Sequence, residues 1–125
     1  MRVYISGKIG EEVLSDATRQ KFAVAEYMLR ALGYIVFNPT RSGLGEYAEG
    51  LVKVYKKICG GLFRQRQWYD QILLLDLEEV AKSDAICLLP DWRQSPGAKA
   101  ELAYAQAIGL KILELTQYHQ LVEWN

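Results

Sequence analysis

The sequence predicts an α/β fold: an open parallel sheet of four to five strands, flanked by helices on both faces. Four short apolar runs, RVYIS (2–6), YIVFN (34–38), DAICLLP (84–90) and LKILEL (110–115), supply the strands. Segments of helical length and period separate them, so each strand–helix–strand reads as a parallel crossover unit. The strands are apolar almost throughout, as strands covered on both faces must be.

RVYIS ends at Gly7, and strand alternation places Val3 and Ile5 on one face with Tyr4 and Ser6 on the other. From Ser15 a helical period follows, with Phe22, Ala25, Leu29 and Leu32 on one stripe. Ser15 or Asp16 caps its start and Gly33 ends it. Pro39 stops the second strand. Residues 45–58 read as a helix broken by Gly60-Gly61, inside a locally basic segment, 41–67. There Arg41, Lys53, Lys56, Lys57, Arg64 and Arg66 face only Glu46 and Glu49. Such a segment is a solvated excursion, a flap over a site, or a contact between subunits. Residues 68–83 form a further helix leading into the third strand, and SPGAKAELAYAQAIGLKI (95–112) is a helix running into the fourth.

Composition narrows the function classes. The 125 residues make one domain, 1–125, with half of them hydrophobic and 15 Lys+Arg balancing 15 Asp+Glu. That balance gives no bulk attraction to nucleic acid or a membrane surface. Cys59 and Cys87 lack metal-ligand spacing and read as buried thiols of a reducing compartment. MRVYISGKIGEE has no apolar signal core and no stretch is long enough to span a bilayer, so the expected location is cytoplasmic. SGKIG lacks the glycine spacing and following hydroxyl of a phosphate-cradling loop, and no GxGxxG follows the first strand. Ser6 and Gly7 end that strand where a phosphoacceptor receiver needs acids. His119 stands alone near the C-terminus. No metal and no cofactor is expected, and any chemistry falls to carboxylates.

Two carboxylates sit on the wrong side of their helices. At about 100° per residue, Lys99, Ala103 and Gln106 share one face of the 95–112 helix. Glu101 then lies on the opposite face, beside Ala98, Ala105 and Ile108. The same projection of 68–83 puts Asp76 between Tyr69, Ile72 and Val80, with Gln71, Glu78 and Lys82 pointing away. Desolvated acids are costly and collect at active sites. Ser95-Pro96-Gly97 is a helix start in which Ser95 caps and Pro96 takes the first helical position. The same start, following a strand, presents N–H groups to an anion at the edge where open α/β sheets bind ligands.

These residues resemble the nucleoside 2-deoxyribosyltransferase-like family, closest in pattern to the 2′-deoxynucleoside 5′-phosphate N-hydrolases and their small bacterial and phage relatives. The likeness runs from YISG (4–7), through GYIVFNP (33–39), to DLEEVAKSDAICLLPDWRQSPGAKAELAYAQAIGLKI (76–112), omitting 41–67 and the tail. The resemblance implies a flavodoxin-like sheet and cleavage or transfer at the N-glycosidic bond of a 2′-deoxynucleoside or its 5′-monophosphate. It makes Glu101 the nucleophile at C1′, Asp76 the group assisting the departing base, and Tyr4 the support of the nucleophile. Ser95 stands where transferases of free nucleosides carry an Asp and the N-hydrolases a phosphate-binding Ser. Lys8 and Gly10 depart from the Ser and Arg that the hydrolases place after the first strand. Gly7, Lys8, Asn38, Gly97 and Trp92 complete the candidate substrate-binding positions, Trp92 either stacking on the base or anchoring its loop.

A carboxylate at C1′ traps an oxocarbenium-like sugar covalently, and water or a second base then releases it. The helix start favours ionised Glu101 by roughly 0.3–1 kcal/mol, burial opposes it, and a Tyr4 hydrogen bond offsets burial. Three expectations follow. The Ser95, Gly97 and Ala98 groups form an anion site favouring the 5′-phosphate. The chain forms a homodimer through 41–67. The rival class is a non-catalytic nucleotide-binding module on the same fold.

Overall fold

The computed structural model describes residues 1–10, 13–59, 64 and 67–125. Its five strands are β1 (Arg2–Ser6), β2 (Ile35–Phe37), β3 (Ala85–Leu88), β4 (Lys111–Leu115) and β5 (Leu121–Glu123). They form one sheet in the order β2-β1-β3-β4-β5. The first four are parallel, with Tyr4 beside Phe37 on one flank and Ile86 on the other. β5 lies antiparallel at the edge of β4, reached through a turn in which His119 adopts a φ of 60°. This return of the tail has little apolar signal, since Val122 and Glu123 stay exposed.

Four helices flank the sheet: α1 (Asp16–Ala31), α2 (Leu44–Cys59), α3 (Trp68–Ala81) and α4 (Pro96–Ala107). Alternation along β1 divides the core in two. Val3 and Ile5 join Phe22, Ala25 and Leu29 of α1, while Tyr4 joins Val80 of α3 and Leu102 and Ala105 of α4. Burying a side chain such as Phe22 or Leu29 stabilises the fold by about 1.5–3 kcal/mol. α2 packs on α3 rather than on the sheet, and the indole N–H of Trp68 ties the pair by donating to the Gly45 carbonyl at 3.0 Å.

The local rules explain the boundaries. Ser15 Oγ accepts the Thr18 N–H at the start of α1, and Ser95 Oγ accepts the Ala98 N–H at the start of α4. Gly33, at φ 89°, follows α1 in a conformation that side chains rarely adopt. Three expected faces need correction. Leu32 is the C-cap of α1 and exposed rather than part of the stripe, and Ile108, the C-cap of α4, is likewise exposed. Gln71 is buried, because α2 covers the side of α3 that a two-layer fold would leave wet. Cys87 is buried and its thiol is pushed up to about 12 by burial, with Glu114 adding to it, which leaves it unreactive. The Cys59 side chain, Arg66 and the Gly60-Gly61 break fall outside the described residues. Among the described residues, no helix is long and apolar enough to cross a membrane.

Gly7 approaches the loop after β3 closely beside the site. A Cβ at Gly7 would stand 2.8–2.9 Å from Leu89 side-chain carbons, including its Cβ, while the Leu89 N–H donates to the Ser6 carbonyl at 2.8 Å. Neither backbone is free to retreat. Gly7→Ala is expected to cost about 1–3 kcal/mol in stability, measured as a lower urea midpoint with an unchanged slope. An unaltered midpoint would show that the two loops separate freely.

Candidate active site

The strand order reverses between β1 and β3, since the chain leaves β1 for β2 on one side and returns as β3 on the other. Ligand crevices of open α/β sheets form at the carboxyl ends of such neighbours. Here that edge holds Gly7 after β1, the Ser95–Gly97 start of α4 after β3, and the inner face of α3. Together they form a chamber of about 60 Å³ that Glu101 and Asp76 both line. The chamber opens into a cavity of about 680 Å³ that shares Ile9, Pro39, Trp68, Ile72 and Asp76 with it.

Glu101 is held through both of its carboxylate oxygens. It is 5% exposed and accepts the Tyr4 hydroxyl on Oε2 and the Ser6 hydroxyl on Oε1, each at 2.6 Å. Both donors come from the face of β1 opposite Val3 and Ile5, so strand alternation builds the cradle. Burial raises the carboxyl to about 7, and the Ser6 and Tyr4 hydrogen bonds pull against that rise. Tyr4 itself is kept a neutral donor: burial first, and then the Glu101 and Asp76 charges, push its pKa well up.

Asp76 faces the same space from α3 and is raised further, to about 8, by burial and then by the charges of Glu101 and Glu79. The order of the two titrations follows. Glu101 ionises first, stabilised by two hydroxyl donors, and its charge then resists ionisation of Asp76. Near neutral pH the pair therefore divides into an ionising Glu101 and a protonated Asp76.

The other expected positions separate into two groups. Gly7, Ser95 and Gly97 line the chamber. Lys8, Asn38 and Trp92 do not. The Lys8 side chain is exposed, and only its backbone is used: its N–H donates to Asp91 at 3.0 Å and its carbonyl accepts from Lys21 Nζ at 2.7 Å. Asn38 is buried in a fold-holding network, donating to Glu26 at 3.0 Å and accepting from both the N–H and the hydroxyl of Thr40. It fixes the turn that presents Pro39 to the chamber. Trp92 is a loop anchor rather than a stacking platform. Its indole N–H donates to Glu114 at 3.2 Å, its ring meets Trp124 edge-on at 5.9 Å, and Arg93 covers it.

Ser6 and Tyr69 were not among the expected site residues. Ser6 was legible in the sequence, because it shares the strand face of Tyr4. Tyr69 lies on the projected face of Asp76, and its role depends on a contact between helices that no local pattern shows. Its hydroxyl lies beside the start of α4, where a Cβ added at Gly97 would be only 2.6 Å away. At the start of α4, where an anion site is expected, Ser95 Oγ takes the Ala98 N–H at 3.1 Å and the Tyr69 hydroxyl stands beside Gly97. Two cations of the basic segment pair with acids outside it, Arg41 with Glu26 at 3.4 Å and Arg64 with Asp70 at 2.8 Å.

A family model described as a domain of unknown function, DUF4406, matches residues 1–114. The chain belongs to that family. No curated protein and no solved structure matches it. The DUF4406 match takes in all the chamber's acids and hydroxyls, from Tyr4 to Glu101, and ends at Glu114. β5 and Trp124, which donates to Glu114 at 3.0 Å, lie beyond the matched DUF4406 span.

Proposed function

We propose that this DUF4406 protein cleaves or exchanges the N-glycosidic bond of a 2′-deoxynucleoside or its 5′-monophosphate, through a sugar covalently held on Glu101. The observation that carries the proposal is the Tyr4–Glu101–Ser6 cradle with Asp76 across the same chamber. Two hydroxyl donors fix both carboxylate oxygens, which aims the group and tempers its basicity without pairing it to a cation. An oxocarbenium-like centre would then be attacked by a positioned, largely desolvated carboxylate. The C1′–N bond breaks as the Glu101 oxygen bonds to C1′, and Asp76 gives its proton to the departing base. Water or a second base, deprotonated by the Asp76 carboxylate so formed, then attacks C1′ and frees Glu101. The wider cavity beyond Asp76 has room for the base.

The test is incubation with the four 2′-deoxynucleosides and their 5′-monophosphates, with free base followed by chromatography. Base release from at least one compound is expected, and addition of a second free base distinguishes exchange from hydrolysis. Binding of a nucleotide with no base released would instead make the chain a nucleotide-binding module.

We also propose a homodimer. α2 exposes Tyr47, Val54 and Ile58 beside Lys53, Lys56 and Lys57, an apolar face within a basic segment. Light scattering at micromolar concentration is expected to give twice the chain mass. A monomer with full activity would exclude the dimer as a working unit.

A further inference from the structure

The chamber's geometry bears on the charge of the substrate's sugar end. Resting on the glycosidic reading above, we infer that Tyr69 is a specificity-determining residue: its hydroxyl, seated against Gly97 at the start of α4, makes the site prefer an uncharged 2′-deoxynucleoside to its 5′-monophosphate.

Three independent observations carry this. First, the space is taken. A single methyl carbon at Gly97 would lie 2.6 Å from the Tyr69 oxygen, so a phosphate seated against Gly97 on that side needs the ring to move. The ring comes from the first turn of α3, whose start is fixed by Asp70 on the Gln67 N–H at 2.9 Å and by the neighbouring Trp68 bond to Gly45. Second, the charge is wrong. The chamber is lined by Asp76 and Glu101 and by no lysine or arginine among the described residues. A dianionic phosphate there would meet two acids and no cation, an arrangement that costs rather than contributes binding. Lys8 and Lys99, which adjoin chamber residues in sequence, are both exposed. Third, the group that fills the space is neutral. Burial and the facing acids push the Tyr69 hydroxyl up, so it presents an O–H dipole suited to a sugar hydroxyl. Arg19 and Arg41 line the wider cavity, which shares neither Ser95 nor Gly97 with the chamber and carries Glu46 and Glu49 as well.

The ratio of kcat/KM for each deoxynucleoside to that for its 5′-monophosphate tests the inference in the wild type, Tyr69→Phe and Tyr69→Ala. The wild type is expected to favour the nucleoside by about 10-fold or more, a discrimination within reach of one misplaced charge. Tyr69→Phe keeps the ring and removes the oxygen beside Gly97, and is expected to shift the ratio towards the monophosphate by about 3- to 10-fold. Tyr69→Ala opens the space and should shift it further. A purely structural role for Tyr69 would lower both rates and leave the ratio unmoved, which would overturn the inference. So would a wild type that prefers the monophosphate. Titration calorimetry with the same compounds separates this from the glycosidic reading. If nothing releases base, a nucleoside preference in binding that Tyr69→Ala relaxes still upholds the role of Tyr69. Equal binding of the two forms, or none of either, overturns it.

Discussion

Glu101→Gln is expected to fold and to lose base release by at least about 10³-fold, the scale on which removal of a nucleophile acts. Glutamine keeps the volume and can accept the Tyr4 hydroxyl through its carbonyl, while its amide faces Ser6, so the cradle stays occupied. What it loses is the oxygen that bonds C1′. A 2′-fluoro sugar analogue, which slows release, should leave an adduct on Glu101 of the wild type, located by intact mass and peptide mapping. Wild-type turnover in Glu101→Gln, or an adduct on Asp76, would overturn the assignment.

The same substitution has a stability signature of opposite sign. Because burial raises Glu101 to about 7, the folded protein keeps a proton that the unfolded chain releases near 4.5. The stability this contributes is complete below the unfolded value and is lost as pH rises through about 7. Glutamine does not titrate, so the variant escapes that loss. Its melting temperature relative to wild type should climb between pH 5 and 8, by an amount on the order of 2–3 kcal/mol in stability. A difference independent of pH would mean that Glu101 is an ordinary carboxylate. An inactive variant that is also more stable in alkali separates a chemical defect from a folding one.

How much of this was legible beforehand depends on where each signal lay. The parallel strands, the α1 and α4 caps, and the inward placement of Glu101 and Asp76 follow from period and capping, which are local. The face shared by Tyr4 and Ser6 was legible too, and it is the face that holds Glu101. What failed depended on contacts between distant segments. Gln71 looked solvated because the sequence does not reveal that α2 packs over α3. Asn38 and Trp92 were placed near substrate, yet each is satisfied by a carboxylate far along the chain, Glu26 and Glu114. Tyr69, 28 residues before Gly97, stands beside the start of α4, a neighbour that helix capping rules do not show. β5 was not assigned because an exposed edge strand of three residues carries almost no apolar pattern.

Asp76→Asn is expected to lower base release by about 10²–10⁴-fold and to change the shape of the pH profile, not only its height. In the wild type, activity needs Glu101 ionised and Asp76 protonated. It should therefore rise as pH passes about 7 and fall as pH passes about 8, giving a narrow bell. Asparagine cannot donate a proton as an acid, so the residual activity should depend strongly on how well the leaving base departs unaided. It also cannot ionise. The alkaline limb should vanish, leaving a profile that rises through the Glu101 titration and then stays level. The complementary variant gives a check on the coupling: in Glu101→Gln the charge that helps raise Asp76 is gone, and its carboxyl, followed by NMR, should titrate below about 8 while remaining above an ordinary aspartate because burial persists. An alkaline limb that survives Asp76→Asn would transfer the acid role to another group. Tyr4 would be a poor successor, since burial and the facing acids hold its proton well beyond that range.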